Sequence, residues 1–390
     1  MLHRQLTVAL IVGGLFSCIS PVHANNPAWE AWQPVAQPNN YPPPYKQSDF
    51  PLNIKTDCEA SEAPSLLNFC LQTNNSRNGL TGIASFLQTQ YTRRINGNNT
   101  YPTTLLLETV QTLLNWHDAS FSGQLAEYFQ LVPVSSTQGV GQGNFTGYFT
   151  PTLAASRVQT ARFSIPIYSK PKSNVNHLSH ADIANGALRG KGLEIAWTDD
   201  PFNLYVAQVQ GSALLTFPDG SRTILDYAGT NNRSFLPISN YLRSKGYKTN
   251  NLSNNGIHEW LKANPHKAYE VITSNPRYVF FRDTGSTPET ASGNGVIPGH
   301  TVAVDSRYIP HGSILLAELP RLSPTGQKIG KEWRLLFAQD HGKAITGNGR
   351  FDLYTGLGEN GEARAYAISG THRVFMVLRK PNALARLARL

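Results

Sequence analysis

The sequence predicts an α+β protein, mainly β, made of two packed units, and three observations carry that expectation. Charged residues are only 15% of the chain, with 32 Gly and 25 Pro, which suits strands and turns better than a helical bundle or a disordered chain. Apolar residues recur at helical spacing early in the chain and alternate at strand spacing later. A length of 390 residues also exceeds what one hydrophobic core usually serves.

Residues 1–24 read as an export signal. His3 and Arg4 precede an apolar run from Leu6 to Phe16, and Val22-His23-Ala24 closes it with small-residue spacing. The run is too short for a permanent membrane span. Leu15-Phe16-Ser17-Cys18 loosely resembles a lipoprotein cleavage site, so lipid anchoring at Cys18 stands open beside cleavage after Ala24. Outside that segment only Cys58 and Cys70 remain, and in an oxidising compartment two cysteines are expected to pair. The net charge of +9 is diffuse. It suits an anionic polymer (nucleic acid, a membrane surface or cell-wall carboxylates) and equally suits plain solubility.

Residues 25–56 form a polar lead containing Pro42-Pro43-Pro44, expected to stay extended as a tether. Residues 57–140 are expected to be helical. Ile83, Phe86, Leu87 and Tyr91 share one face, and Leu106, Val110, Leu113 and Leu114 make another, both read as core. From 141 to 255 the texture is β. Phe163 to Tyr168 alternates, and Leu204 to Phe217 reads as a long strand meeting an Asp219-Gly220 hairpin whose two central residues would both need positive φ. Ile257 to Ile272 reads as helix broken at Asn264-Pro265. Within 256–380 the strands expected are Tyr278–Arg282, Thr301–Asp305, Ser313–Leu319, Arg334–Gln339 and Arg373–Leu378, before a tail at 381–390. The pattern is that of a β-rich insert between two sections of a mixed domain.

Several chemical signatures fail. His258-Glu259-Trp260 lacks a second His at the zinc-protease spacing, and the scattered His and Cys make no metal cage. Gly186 to Gly192 is one residue short of a phosphate loop and lacks its hydroxyl. Gln210-Gly211-Ser212 lacks the second Gly of a nucleophile elbow. What remains are aspartates at strand ends. For Asp305 and Asp340 the simplest reading is turn initiation through nearby backbone N–H groups. Asp352 has large apolar neighbours in Phe351, Leu353 and Tyr354, and a carboxyl desolvated by such groups keeps its proton as an acid.

FAQDHGKAITGNGRFDLYTGLG from Phe337 and VIPGHTVAVDSRYIPHGSILL from Val296 resemble the three-aspartate domain of the membrane-bound lytic murein transglycosylase A family. GNFTGYFTP from Gly143, LRGKGLEIAWTDDP from Leu188, VQGSALLTFPDGS from Val209, DYAGTNNRSF from Asp226 and NPRYVFFRD from Asn275 are similar to the family's insert. The resemblance spans roughly Gly141 to Leu378. It implies a double-psi β-barrel with helical additions, an inserted second β-barrel-like domain, and a glycan groove between them. It also implies a lytic transglycosylase of peptidoglycan, with Asp352 as catalytic acid and then base, Asp340 beside it and Asp305 in support. Tyr148, Gln210, Gly211, Ser212 and Tyr227 would line the groove. The family pattern departs once: Lys343 stands where a Gly is usual and Thr346 where a Lys is usual, and Lys343 is a candidate to supply that charge.

No metal or organic cofactor is expected, because the muramic acid's own C6 hydroxyl attacks C1 and one carboxyl can serve twice. The partners expected are peptidoglycan glycan strands, with other cell-wall enzymes as candidates, no nucleic acid, and a membrane only through Cys18. The location implied is the periplasm, with outer-membrane anchoring open. Two rivals remain: a hydrolase in which Asp340 activates water for Asp352, and a non-catalytic glycan-binding module using Tyr148 and Trp197.

Overall fold

The computed structural model describes residues 74–92, 101–118, 128–249 and 251–380. The export signal, the tether, Cys18, Cys58, Cys70 and the tail lie outside the described residues. Fifteen strands are described: β1 (Phe129–Pro133), β2 (Ser135–Ser136), β3 (Gly139–Val140), β4 (Gln142–Thr150), β5 (Thr152–Ser156), β6 (Ile165–Tyr168), β7 (Glu194–Thr198), β8 (Ser212–Thr216), β9 (Arg222–Thr230), β10 (Val279–Gly285), β11 (Thr301–Ala303), β12 (Ile314–Leu322), β13 (Lys328–Asp340), β14 (Arg350–Leu357) and β15 (Gly370–Arg379). The protein is mixed α and β, mainly β.

The larger sheet runs β1-β15-β12-β13-β11-β14-β4, and a further β15–β4 pairing closes six of these strands into a barrel. Two of its pairings are parallel, β11 with β13 and β14 with β4. Its interior holds Phe145, Val302, Leu315, Leu336, Phe351 and Leu353, while Phe337 and Val377 fall on the other face of the sheet. The early helices, Asn74–Thr92 and Thr103–Asp118, lay Leu80, Ile83 and Leu87 and then Leu106, Val110 and Leu113 against the same core. Gly79 permits that approach, since a Cβ there would come within 2.1 Å of the Phe337 ring.

The second sheet runs β10-β9-β8-β5-β7-β6. A parallel bridge between Ser169 and Phe281 brings its two ends together. Leu153, Ile167, Leu215, Leu225 and Phe281 form its core with Ile257, Leu261, Val271 and Ile272 from the helices that follow. The expected boundary at 255 therefore falls inside a packed unit, because the helical interlude and β10 bury their apolar faces against this second sheet.

Two local expectations are corrected. Leu204 to Phe217 is not one strand: Pro201–Gln210 is a helix and only Ser212–Thr216 is strand. Asp200 caps that helix by accepting from the Phe202 and Asn203 N–H groups at 2.9 and 3.0 Å, Pro201 sits in its first turn, and Gly211 ends it in the left-handed region. Asp219-Gly220 does turn the hairpin, but only Gly220 has positive φ. The loop is wider than two residues, with the Phe217 N–H donating to the Ser221 carbonyl at 3.0 Å and the Asp219 carboxylate accepting from the Ser221 N–H at 2.9 Å. The helical interlude breaks as expected, into Asn254–Ala263, a 3₁₀ turn at Pro265–Lys267 and Ala268–Thr273. A helix at Gly358–Ile368 was not anticipated.

Candidate active site

Four neighbouring strands of the first barrel place the candidate residues in one row. Ala303 of β11 pairs with Asp340 on one side and Asp352 on the other, and Asp352 pairs in turn with Thr146 of β4. Two positions along, Tyr354 pairs with Tyr148. Side chains alternate across a strand, so Asp352 and Tyr354 face away from Phe351 and Leu353, which fill the barrel interior. The apolar neighbours that drew attention to Asp352 are thus not what desolvates it.

Burial pushes the Asp352 carboxyl up to about 6, against the opposing pull of the Thr146 hydroxyl and the Arg350 charge; the nearby Asp340 adds to the rise. Thr146 Oγ1 donates to Asp352 Oδ1, and Arg350 Nη2 donates to Thr146 Oγ1 at 2.8 Å. Such a carboxyl changes protonation near neutrality, which is what a group serving as acid and then as base requires.

Asp340 is held differently. Its Oδ2 accepts from the Tyr148 hydroxyl at 2.8 Å, while its Oδ1 accepts from the Ala291 and His341 N–H groups at 3.1 and 2.9 Å. His311 Nε2 lies 3.1 Å from the Asp340 carbonyl oxygen. Tyr148 is driven well above the ordinary tyrosine range, first by burial and then by Asp340, so its hydroxyl stays a donor. Its ring leans on Tyr354 at 5.2 Å between centroids.

Asp305 lies two residues beyond β11 and takes no part in the row. Arg307 grips it with Nε on Oδ1 at 2.9 Å and Nη2 on Oδ2 at 2.5 Å, and the Gly347 N–H donates to Oδ2 at 2.7 Å. The Arg307 hydrogen bonds hold its carboxyl well below the usual carboxylate range. It fastens the loop between Asp340 and β14 and remains an anion.

The residues expected from the insert are brought to the same wall unevenly. Gln210 Oε1 accepts from the Phe149 N–H at 3.1 Å, and Gly211 supplies the turn between them and β8. Ser212 Oγ meets Thr150 Oγ1 at 2.8 Å, which in turn meets the Tyr354 hydroxyl at 3.0 Å. Ser212 is buried, so its position is that of a wall support. Tyr227 is 48% exposed on β9, and Lys343 is exposed on the loop after Asp340.

Four residues of this region had not been singled out: Thr146, Arg350, His311 and Asp226. Asp226, adjacent to Tyr227, is buried, accepts from Arg282 Nη2 at 3.2 Å and the Glu289 N–H at 3.0 Å, and is pushed upward mainly by that burial. Thr146 lies inside the GNFTGYFTP segment and Arg350 beside Asp352, so each was within a recognised motif, but only the parallel β4–β14 register brings them together. Among the described residues no group of three or more His, Cys, Asp or Glu side chains could hold a metal ion.

Two family descriptions match this chain, the MltA specific insert domain over residues 144–282 and the 3D domain over residues 300–378. The chain is 30% identical to the membrane-bound lytic murein transglycosylase A of Vibrio cholerae over 331 residues, covering 83% of this chain and 84% of that protein. It is 34% identical over 248 residues to the protein of the same name in Escherichia coli K12, covering 62% of this chain and 67% of that one. The crystal structure of E. coli MltA with bound chitohexaose superposes with a TM-score of 0.68 at 26% identity, covering 83% of this chain and 93% of that one.

Proposed function

The chain belongs to the membrane-bound lytic murein transglycosylase A family, and on that premise we propose that Asp352 cleaves the bond between muramic acid and glucosamine without water. The protein is a peptidoglycan lytic transglycosylase. The observation that carries the mechanism is the half-buried Asp352 carboxyl, poised at about 6 beside Asp340. As an acid, Asp352 gives its proton to the leaving glycosidic oxygen. As a base, it then takes the proton of the C6 hydroxyl while that oxygen closes on C1, giving a 1,6-anhydromuramic end.

Asp340 supports Asp352 by raising its proton affinity and by fixing Tyr148. Both Asp340 oxygens are already engaged by protein donors, which favours this supporting role over activation of a water. Asp305 holds the intervening loop. The pair of parallel strand contacts within a closed six-stranded barrel favours a double-psi arrangement. The Phe149–Gln210 and Thr150–Ser212 contacts, which join the outer face of that barrel to the second one, favour a glycan groove beside them, with Tyr148, Tyr227 and Lys343 available to it.

The relatives are named membrane-bound, which agrees with an envelope location. Export directed by residues 1–24, with cleavage after Ala24 or lipid anchoring at Cys18 as alternatives, and a Cys58–Cys70 disulfide are part of the same reading. The test is the product. Digestion of sacculi in heavy-oxygen water should release muropeptides ending in unlabelled 1,6-anhydromuramic acid, each lighter by one water than a hydrolytic product. Labelled reducing ends would make the protein a hydrolase, and release of nothing would leave only a binding module.

A further inference from the structure

We propose that Thr146 and Arg350 are positioning residues that assign the transferable proton of Asp352 to its Oδ2 atom. The inference rests on the reading of Asp352 as acid and base, and concerns how that carboxyl is kept in one orientation through both half-reactions.

A guanidinium only donates hydrogen bonds, so Arg350 Nη2, at 2.8 Å, must occupy a lone pair of Thr146 Oγ1. Thr146 has one hydroxyl proton, and Asp352 Oδ1 accepts it. The direction of the chain is therefore set from Arg350 through Thr146 to Asp352. Were the acid proton on Oδ1, the threonine hydroxyl would have to donate to a protonated oxygen, a much poorer acceptor than a carbonyl or carboxylate oxygen. With the acid proton on Oδ2, every member stays satisfied. The same bonds persist after that proton leaves, so only Oδ2 changes between the acid and base forms and nothing has to reorient.

The guanidinium is itself fixed. Arg350 Nη1 donates to the Phe351 carbonyl at 2.6 Å and reaches the Asn144 carbonyl at 3.4 Å, touching backbone on both parallel strands. The electrostatic consequence runs the same way. Burial lifts the Asp352 carboxyl, whereas the Thr146 bond and the Arg350 charge pull it down, which keeps it able to lose its proton. In the reaction, the Oδ2 proton moves to the glycosidic oxygen as its bond to C1 breaks. The C6 oxygen then bonds C1, and its proton returns to Oδ2.

The test compares Thr146→Val, Thr146→Ser and Arg350→Met by release of anhydro ends from soluble glycan strands across pH. Thr146→Val should lower kcat about ten- to hundredfold with KM little changed. It should also move the alkaline limb of the profile upward by about one pH unit, because the group that lowers the carboxyl is gone. Thr146→Ser should restore both, and Arg350→Met should move the limb in the same direction. An unshifted limb in Thr146→Val, or a serine variant as impaired as the valine one, overturns the inference. If the valine variant does not fold, the Arg350→Met limb decides alone. An active Asp352→Asn enzyme would instead overturn the reading of Asp352, so the two failures are separable.

Discussion

Asp352 and Asp305 belong to the same barrel and carry the same carboxyl group, yet their surroundings pull their acidities in opposite directions. Asp352 sits inside a strand, with one hydroxyl on Oδ1, and burial raises it to about 6. Asp305 sits in a turn, forked by Arg307 and bonded to the Gly347 N–H, and is held well below the usual range. Identity of residue type and nearness to the same strand say little about role. What separates a proton carrier from a structural clamp is how many fixed donors meet the carboxylate and how much water it has lost.

The largest effect that could break this contrast is catalytic. Asp352→Asn keeps the shape and the Thr146 contact but cannot give and retake a proton. Turnover of glycan strands should fall by at least ~10²–10⁴-fold with the circular dichroism of the folded protein retained. Near-normal turnover would put the chemistry elsewhere.

The next effect is on stability, and its sign follows from the raised carboxyl. Below the unfolded-state value of about 4 the proton is present in both states, and Asp352 makes its full favourable contribution. That contribution is lost as pH rises through about 6, where the folded protein must ionise a buried group. The wild type should therefore lose stability relative to Asp352→Asn between about pH 4 and 7, by up to about 3 kcal/mol, two pH units' worth. Urea melts across that range would check it; parallel curves for the two proteins would mean that Asp352 is not desolvated.

A smaller change is expected at the clamp, with the opposite pH sense. Asp305→Asn should cost about 1 kcal/mol near neutrality through weakened bonds to Arg307 and the Gly347 N–H. Because the Asp305 carboxyl is depressed in the fold, its contribution is present above about pH 4 and fades in acid, so variant and wild type should converge there. Hydrogen exchange at Gly347 should speed up in the variant at pH 7. Unchanged protection would remove Asp305 from the role of loop fastener.

Much of this protein is legible along the chain where the cause is local. The apolar stripes of the first two helices, the break at Asn264-Pro265 and the Asp219-Gly220 hairpin all follow from residues a few positions apart. The misreading of Leu204 to Phe217 was also local. Asp200, Pro201 and Gly211 carried the helix signals at both ends, but the apolar run between them suits strand and helix alike. The second unit extends past residue 255 because the apolar faces of the later helices are matched to a sheet formed much earlier, which no window along the chain displays.

The sequence by itself determined the kinds of element, the ordered motifs of the family and the aspartates worth testing, because these depend on periodicity and on residue identity. Tertiary structure alone decided what surrounds each aspartate. Thr146 and Asp352 are 206 positions apart and meet only through a parallel strand register, and Tyr148 reaches Asp340 across 192 positions. Apolar neighbours drew attention to Asp352, but the pleat turns Phe351 and Leu353 into the barrel and the carboxyl to the opposite face. Acidity is set by burial and by donors gathered from distant segments, so it becomes a property of Asp352 only once the strands have closed.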